Sequence, residues 1–155
     1  MSFFLSDRME IINREYFQFD TLPAIRWSKG KIKKRYRKLT FGTFDIKKKE
    51  IRIHPILKSN NIPSFVLDFV LYHELLHYQD QILRSGEKLQ PKVQPVLQPG
   101  LFQFVHAKPV RNKNKKNKIH SIDFHKRERV FPLKKEATGI MRDIVNGSFN
   151  LETSD

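Results

Sequence analysis

The sequence predicts a single α+β domain. Three observations lead there: an amphipathic opening segment, several short alternating stretches after it, and a long, nearly all-apolar helical stretch near the middle. The predicted order is an N-terminal helix, a small antiparallel sheet of three or four strands, a central helix and C-terminal helices. At 155 residues, the chain suits one domain spanning 1–155 with a core of its own.

Each element has its own signal. Ser6 to Phe17 reads as a helix, because Leu5, Met9, Ile12 and Tyr16 recur at helical spacing. "LPAIRW" then sets Ile25 and Trp27 on one face after Pro23, a strand pattern. "RKLTFGTFD", with Leu39, Phe41 and Thr43 on one face, and "EIRIHP", with Ile51 and Ile53, read as two more strands. Pro55 ends the last of them because it has no N–H for the ladder. The short basic links "SKGKIKKR" and "IKKKE" suggest an antiparallel meander. "SNNIPSF" carries helix-start residues, and from Phe65 to Leu76 only Asp68, His73 and Glu74 are strongly polar. A helix apolar around most of its circumference belongs at the centre of a fold. It is expected to run to about Arg84, with Gly86 as its stop.

Residues 88 to 122 hold no acid and four of the eight prolines, Pro91, Pro95, Pro99 and Pro109. The segment at about 86–119 therefore reads as an extended Pro/Lys-rich insertion, with one candidate strand at "LFQFVHA". Ser121 is placed to cap a short helix that stops before Pro132. A last helix follows, with Leu133, Ala137, Ile140, Met141 and Ile144 on one stripe and Gly147 closing it.

Composition narrows the chemistry. The chain has no cysteine, which removes disulfides, thiolate metal sites and thiol nucleophiles and leaves histidine and carboxylate as the strong metal ligands. "MSFFLSDRMEII" lacks a basic n-region, and the apolar run from Phe69 stops at His73. No signal peptide or membrane span is expected, so the expectation is a soluble, cytoplasmic monomer. Thirty Lys+Arg against 16 Asp+Glu give a net charge of +14. Such an excess favours polyanionic partners, nucleic acid first, although a merely solubilising surface has the same composition.

The central helix carries "HELLH". Positions i and i+4 share a helix face, so His73 and His77 can ligate one ion, while Glu74 points beside it as a general base for metal-bound water. Zinc suits imidazole ligands best. With six histidines in 155 residues, the pattern arises by chance in roughly one chain in a hundred. The competing reading is a pair of hydrogen-bonded core histidines with Glu74 at the surface. A catalytic zinc takes a third protein ligand. His54 before Pro55 reads as a turn residue and His106 as solvent-facing, while composition alone leaves His120 and His125 equally eligible.

These motifs resemble the SprT-like zinc metallopeptidases, relatives of Spartan and the YgjP-like proteins, among the minimal zincins. "NREYF", "LPAIRWS", "TFGTFD", "IRIHPIL" and "YHELLH" follow in that family's order, and "HSIDFHKRERVFP" is similar to its histidine-x-x-x-phenylalanine element. The resemblance implies a minimal zincin-like domain with His73, His77 and His120 as zinc ligands, Glu74 as the base and Phe124 packed behind the metal, with His125 as the alternative third ligand. Two departures stand out. The stretch between His77 and His120 is long, and the family's cysteine-based zinc ribbon is missing. Nucleic-acid contacts would then fall to the catalytic domain.

Two patches are candidates for such contacts. Between Asp20 and Asp45 there are eight basic residues and no acid. Lys31, Lys33, Lys34, Arg35 and Arg37 surround Tyr36, the candidate stacking residue, while Trp27 and Phe41 read as core. The second patch includes Lys113, Lys115 and Lys116, and a solvated tether would look the same. Asp80 reads as an exposed acid or as a residue orienting a ligand histidine. Tyr36 and Tyr78 are candidate oxyanion stabilisers. The expected function is zinc-dependent endopeptidase action on nucleic-acid-associated protein, of the DNA–protein crosslink type by resemblance. The alternatives are a metal-dependent nucleic-acid hydrolase and a zinc-stabilised nucleic-acid-binding module without catalysis.

Overall fold

A computed structural model describes residues 5–86 and 120–151. The candidate strand at "LFQFVHA", His106, Lys113, Lys115 and Lys116 lie outside the described residues. The fold class is α+β, as the sequence implies, with four α-helices and one three-stranded sheet among the described residues.

Helix α1 (Leu5–Ile12) buries Leu5, Met9 and Ile12 and passes directly into one π-helical stretch, Asn13–Phe17. The chain leaves that stretch at Gln18, which adopts a left-handed conformation (φ 60°). The Asn13 side chain fixes the exit: its Oδ1 accepts from Phe19 N at 2.8 Å and its Nδ2 donates to Phe19 O at 3.1 Å. Arg8 forks onto the part-buried Asp68 of the central helix and so ties α1 to it.

Strands β1 (Ala24–Trp27), β2 (Gly42–Asp45) and β3 (Glu50–Ile53) form a sheet in the order β1-β3-β2. This corrects the antiparallel meander. β2 and β3 do form an antiparallel hairpin, in which Asp45 Oδ1 accepts from the N–H groups of Lys47 and Lys48 and Lys49 turns the chain at φ 47°. β1, however, pairs with the far edge of β3 in parallel, so the sheet is mixed. The reason lies in the connection. Residues 28–41 are too long for a hairpin and carry the chain to the far edge of the sheet, so that β3 returns between β2 and β1 and lies parallel to β1. The central position of β3 explains why Ile51 and Ile53 have no exposed surface. β2 also starts later than expected: Phe41 is buried ahead of it, Phe44 faces the core, and Thr43 is exposed. The opposite face of the sheet is polar, with Glu50 between Arg26 (3.0 Å) and Arg52 (2.6 Å), and Arg52 also reaching Asp45 (3.2 Å).

Helix α2 (Ser64–Ser85) follows a 3-10 turn at Pro55–Lys58 and ends at Gly86 in the left-handed conformation. It buries Val66, Leu71 and Leu75 completely. Complete burial of a large aliphatic side chain stabilises by about 1.5–3 kcal/mol, so α2 anchors the molecule. An aromatic layer of Tyr16, Phe17, Phe69, Tyr72 and Phe131 packs along it, with centroids 5.1–5.9 Å apart. Helix α3 (Ile122–Glu128) is capped by Ser121, whose Oγ accepts from Phe124 N at 3.0 Å. Helix α4 (Lys134–Asn146) buries Ala137 and Ile144, leaves Leu133 exposed, and ends at Gly147.

Candidate metal centre

His73 and His77 project from adjacent turns of α2, and His120 approaches them from the residue before the Ser121 cap. The Nε2 atoms of His73 and His77 are 3.3 Å apart, and those of His77 and His120 are 3.1 Å apart. Each of the three half-buried residues offers a ring nitrogen within 4.8 Å of the others, a group that could hold a metal ion. Phe124, with no exposed surface, backs all three rings at centroid distances of 5.1, 4.6 and 4.7 Å. His125 stands apart. Its side chain is 53% exposed and its Nδ1 lies 3.6 Å from Glu128.

The helix–helix junction positions these rings. Glu128, one turn after Phe124 on α3, accepts from His73 Nδ1 at 2.8 Å, and its other oxygen accepts from Lys134 Nζ. A proton held on Nδ1 leaves the Nε2 lone pair facing the other two histidines, the arrangement that carboxylates impose on metal-ligating imidazoles. Arg127 secures α3 from the other side, donating to Gln79 Oε1 at 2.7 Å and to Asp80 Oδ1 at 2.6 Å. Tyr72 Oη also donates to Arg127 O at 2.7 Å. Asp80 is thus neither a free acid nor a histidine partner, because it holds α3 onto α2. Glu128 and Arg127 are absent from the sequence reading. Their spacing from Phe124, at i+4 and i+3, puts them beside its face of α3, but only the docked helix supplies their partners.

Burial and neighbouring charge set the protonation states. Burial, then positive charge on His73 and His120, pulls His77 down to about 4. His120 is lowered for the same reasons, burial first. Neutral imidazoles with free lone pairs are the form that binds metal. Burial alone would raise Glu128, but hydrogen bonds from His73 and Lys134 outweigh it and bring it down to about 2.

Glu74 is only 4% exposed and its carboxyl makes no hydrogen bond among the described residues. Burial pushes it up to about 7, against the pull of His73. It lies against Gly42 of β2, where an added Cβ would sit 2.8 Å from Glu74 Oε1 and 2.7 Å from Val70 Cγ1. Glycine is what allows the edge strand to approach the helix this closely.

Comparison with protein-family models, with curated proteins and with solved structures gave no match. The functional reading therefore rests on the histidine triangle, its carboxylate support and the buried Glu74.

The remaining sequence candidates fall elsewhere. Tyr78 is buried and donates from Oη to Thr21 O at 2.9 Å. Lys31, Lys33, Lys34, Arg35 and Arg37 are exposed on the crossover loop, and Tyr36 is half-buried among them. Tyr36 Oη accepts from Lys33 N at 2.7 Å and donates to Lys31 O at 3.2 Å, so this ring organises the loop. His54 is buried, and its Nδ1 accepts from Ile56 N at 3.2 Å, which makes it the turn residue expected. Among the described residues, no helix is long and apolar enough to cross a membrane.

Proposed function

We propose that the chain is a zinc-dependent endopeptidase, with His73, His77 and His120 as zinc ligands and Glu74 as its general base. The observation that carries this is the convergence of three imidazole nitrogens beside a buried carboxyl that has no hydrogen-bond partner among the described residues. Zinc bonds imidazole nitrogen at about 2.0–2.1 Å, so tetrahedral ligand atoms stand about 3.3 Å apart. The 3.3 and 3.1 Å separations fit that figure. The donor set, all nitrogen and no sulfur, suits zinc among the common metals.

Zinc held there would supply Lewis acidity towards a water and a peptide carbonyl. Glu74 supplies the proton traffic. It accepts a proton as water attacks the carbonyl carbon and returns it to the departing amine. Glu128 holds His73 in one tautomer throughout, and Phe124 keeps water from behind the rings. The net charge of +14 favours substrates that sit on nucleic acid, and the SprT-like resemblance points to protein bound or crosslinked to DNA.

The test incubates zinc-loaded protein and its Glu74→Gln variant with a loosely folded DNA-binding protein, with and without single-stranded DNA. Fragments are read by mass spectrometry. Cleavage by the parent alone, enhanced by DNA, is the expected outcome. Intact peptide bonds with cut DNA or RNA would replace the peptidase reading with the nucleic-acid hydrolase. Equal cleavage by both proteins would remove Glu74 from the chemistry.

A further inference from the structure

The crossover loop between β1 and β2 builds a second concave site. It is an open cavity of about 410 Å³ lined by Lys31, Lys33, Tyr36, Lys38, Leu39, Thr40 and His54. Three features set it apart from an ordinary basic surface.

First, its charge is uncompensated. Residues 28–41 carry seven cations and no acid, and none of the seven has an ion-pair partner among the described residues. The carboxylates of the sheet pair instead with Arg26 and Arg52.

Second, a largely buried imidazole lines the cavity. His54 is only 8% exposed. Its Nδ1 is taken up by Ile56 N, so the neutral ring carries its proton on Nε2, and Nε2 has no hydrogen-bond partner among the described residues. A ligand oxygen in the cavity would give that N–H an acceptor. Burial holds His54 below the usual histidine range, which keeps it a neutral donor.

Third, the loop is held in shape. Tyr36 Oη ties Lys31 to Lys33, Tyr36 N donates to Val145 O at 3.2 Å, and the Tyr36 ring meets the edge of His54 at a centroid distance of 6.0 Å. Gly30 packs so tightly on His54 that an added Cβ would sit 2.3 Å from its Nε2.

Lysine ammoniums, a neutral imidazole N–H and the Thr40 hydroxyl around a partly apolar floor suit a tetrahedral oxyanion attached to an organic group. We propose that this cavity is a phosphate-binding site, with His54 as its buried donor and Lys31, Lys33 and Lys38 as its counter-charges, and that the phosphate it takes is a link in a nucleic-acid backbone. The assignment of the source rests on the nucleic-acid part of the reading above, whereas the site does not depend on catalysis.

The test uses the full chain and two charge-matched triple variants. One is Lys31→Gln/Lys33→Gln/Lys38→Gln. The other, away from the cavity, is Lys47→Gln/Lys48→Gln/Lys135→Gln. Binding of a fluorescent oligo-dT strand is followed by anisotropy across a salt series, and inorganic phosphate and thymidine monophosphate are titrated against the histidine ring resonances. A His54→Gln variant assigns the His54 signal.

The cavity triple is expected to bind oligo-dT at least about tenfold more weakly than the control triple. Its salt slope should fall by about 2, since each phosphate contact on a single strand contributes about 0.7. The phosphate ligands should shift the His54 resonance in the parent and leave it unmoved in the cavity triple. Such a shift without differential oligo-dT loss would support the phosphate site and overturn the backbone as its source. Equal losses in both triples together with an unmoved His54 signal would overturn the proposal. Peptide cleavage assayed in parallel keeps the two readings separable: cleavage without phosphate binding sinks only the cavity, and the reverse sinks only the peptidase.

Discussion

Glu74 and His73 show how single residues are prepared by neighbours that no motif contains. The Glu74 carboxyl has room because position 42 lacks a side chain. Gly42→Ala would push its methyl to 2.7 Å from Val70 Cγ1 and 2.8 Å from Glu74 Oε1, an overpacking that costs about 1–3 kcal/mol. We expect a lower denaturation midpoint and reduced cleavage at full zinc occupancy, and an unchanged midpoint would refute the close approach. His73 depends on Glu128 in the same way. Removing a carboxylate that orients a ligand histidine weakens metal binding about 10–100-fold. Glu128→Ala should show that loss in a chelator competition, with Glu128→Gln falling between it and the parent. Parental zinc affinity in both variants would mean that the 2.8 Å contact plays no part in the site.

The elements differ in how far the sequence specifies them. α2 is legible because the apolar run from Phe65 to Leu76 and the stop at Gly86 are local signals, and the Ser121 cap is legible for the same reason. Strand alternation identified the inward Ile51 and Ile53, but periodicity assigns a face and not a neighbour, so the parallel β1–β3 pairing was hidden. The partners of Arg127 and Glu128 were hidden too, because they arise only when α3 lies on α2. The sheet's outer face carries a pH consequence. Hydrogen bonds from Arg52, then Arg26, hold Glu50 below the usual glutamate range. A depressed carboxylate stabilises the fold above its ordinary pKa, and that contribution is lost as pH falls through the depressed value. In urea titrations from about pH 6 to about pH 3, Glu50→Gln should lose less stability than the parent. Parallel acid limbs would show that Glu50 is not one of the groups responsible.

At the scale of the molecule, the candidate metal centre joins two stretches that are distant in sequence. His73 and His77 belong to the central helix, and His120 belongs to the C-terminal pair. A ligand that binds only the folded state stabilises it by about 2.7 kcal/mol at a hundredfold excess over Kd. For a domain of this size that is roughly 5–11 °C in melting temperature. Zinc should raise the melting temperature of the parent by this order, a chelator should reverse the gain, and His120→Ala should forfeit most of it. An equal rise in His120→Ala would place the metal elsewhere.

The C-terminal helix has one more bearing on the whole. Its last turn supplies Val145 O to the crossover loop, and at Gly147 (φ 75°) an added Cβ would stand 2.9 Å from Lys34 O. The loop and the helix end therefore hold one another in place. A shortened chain ending before position 145, or a chimera that borrows residues 28–41 alone, would inherit the lysines without the scaffold that spaces them.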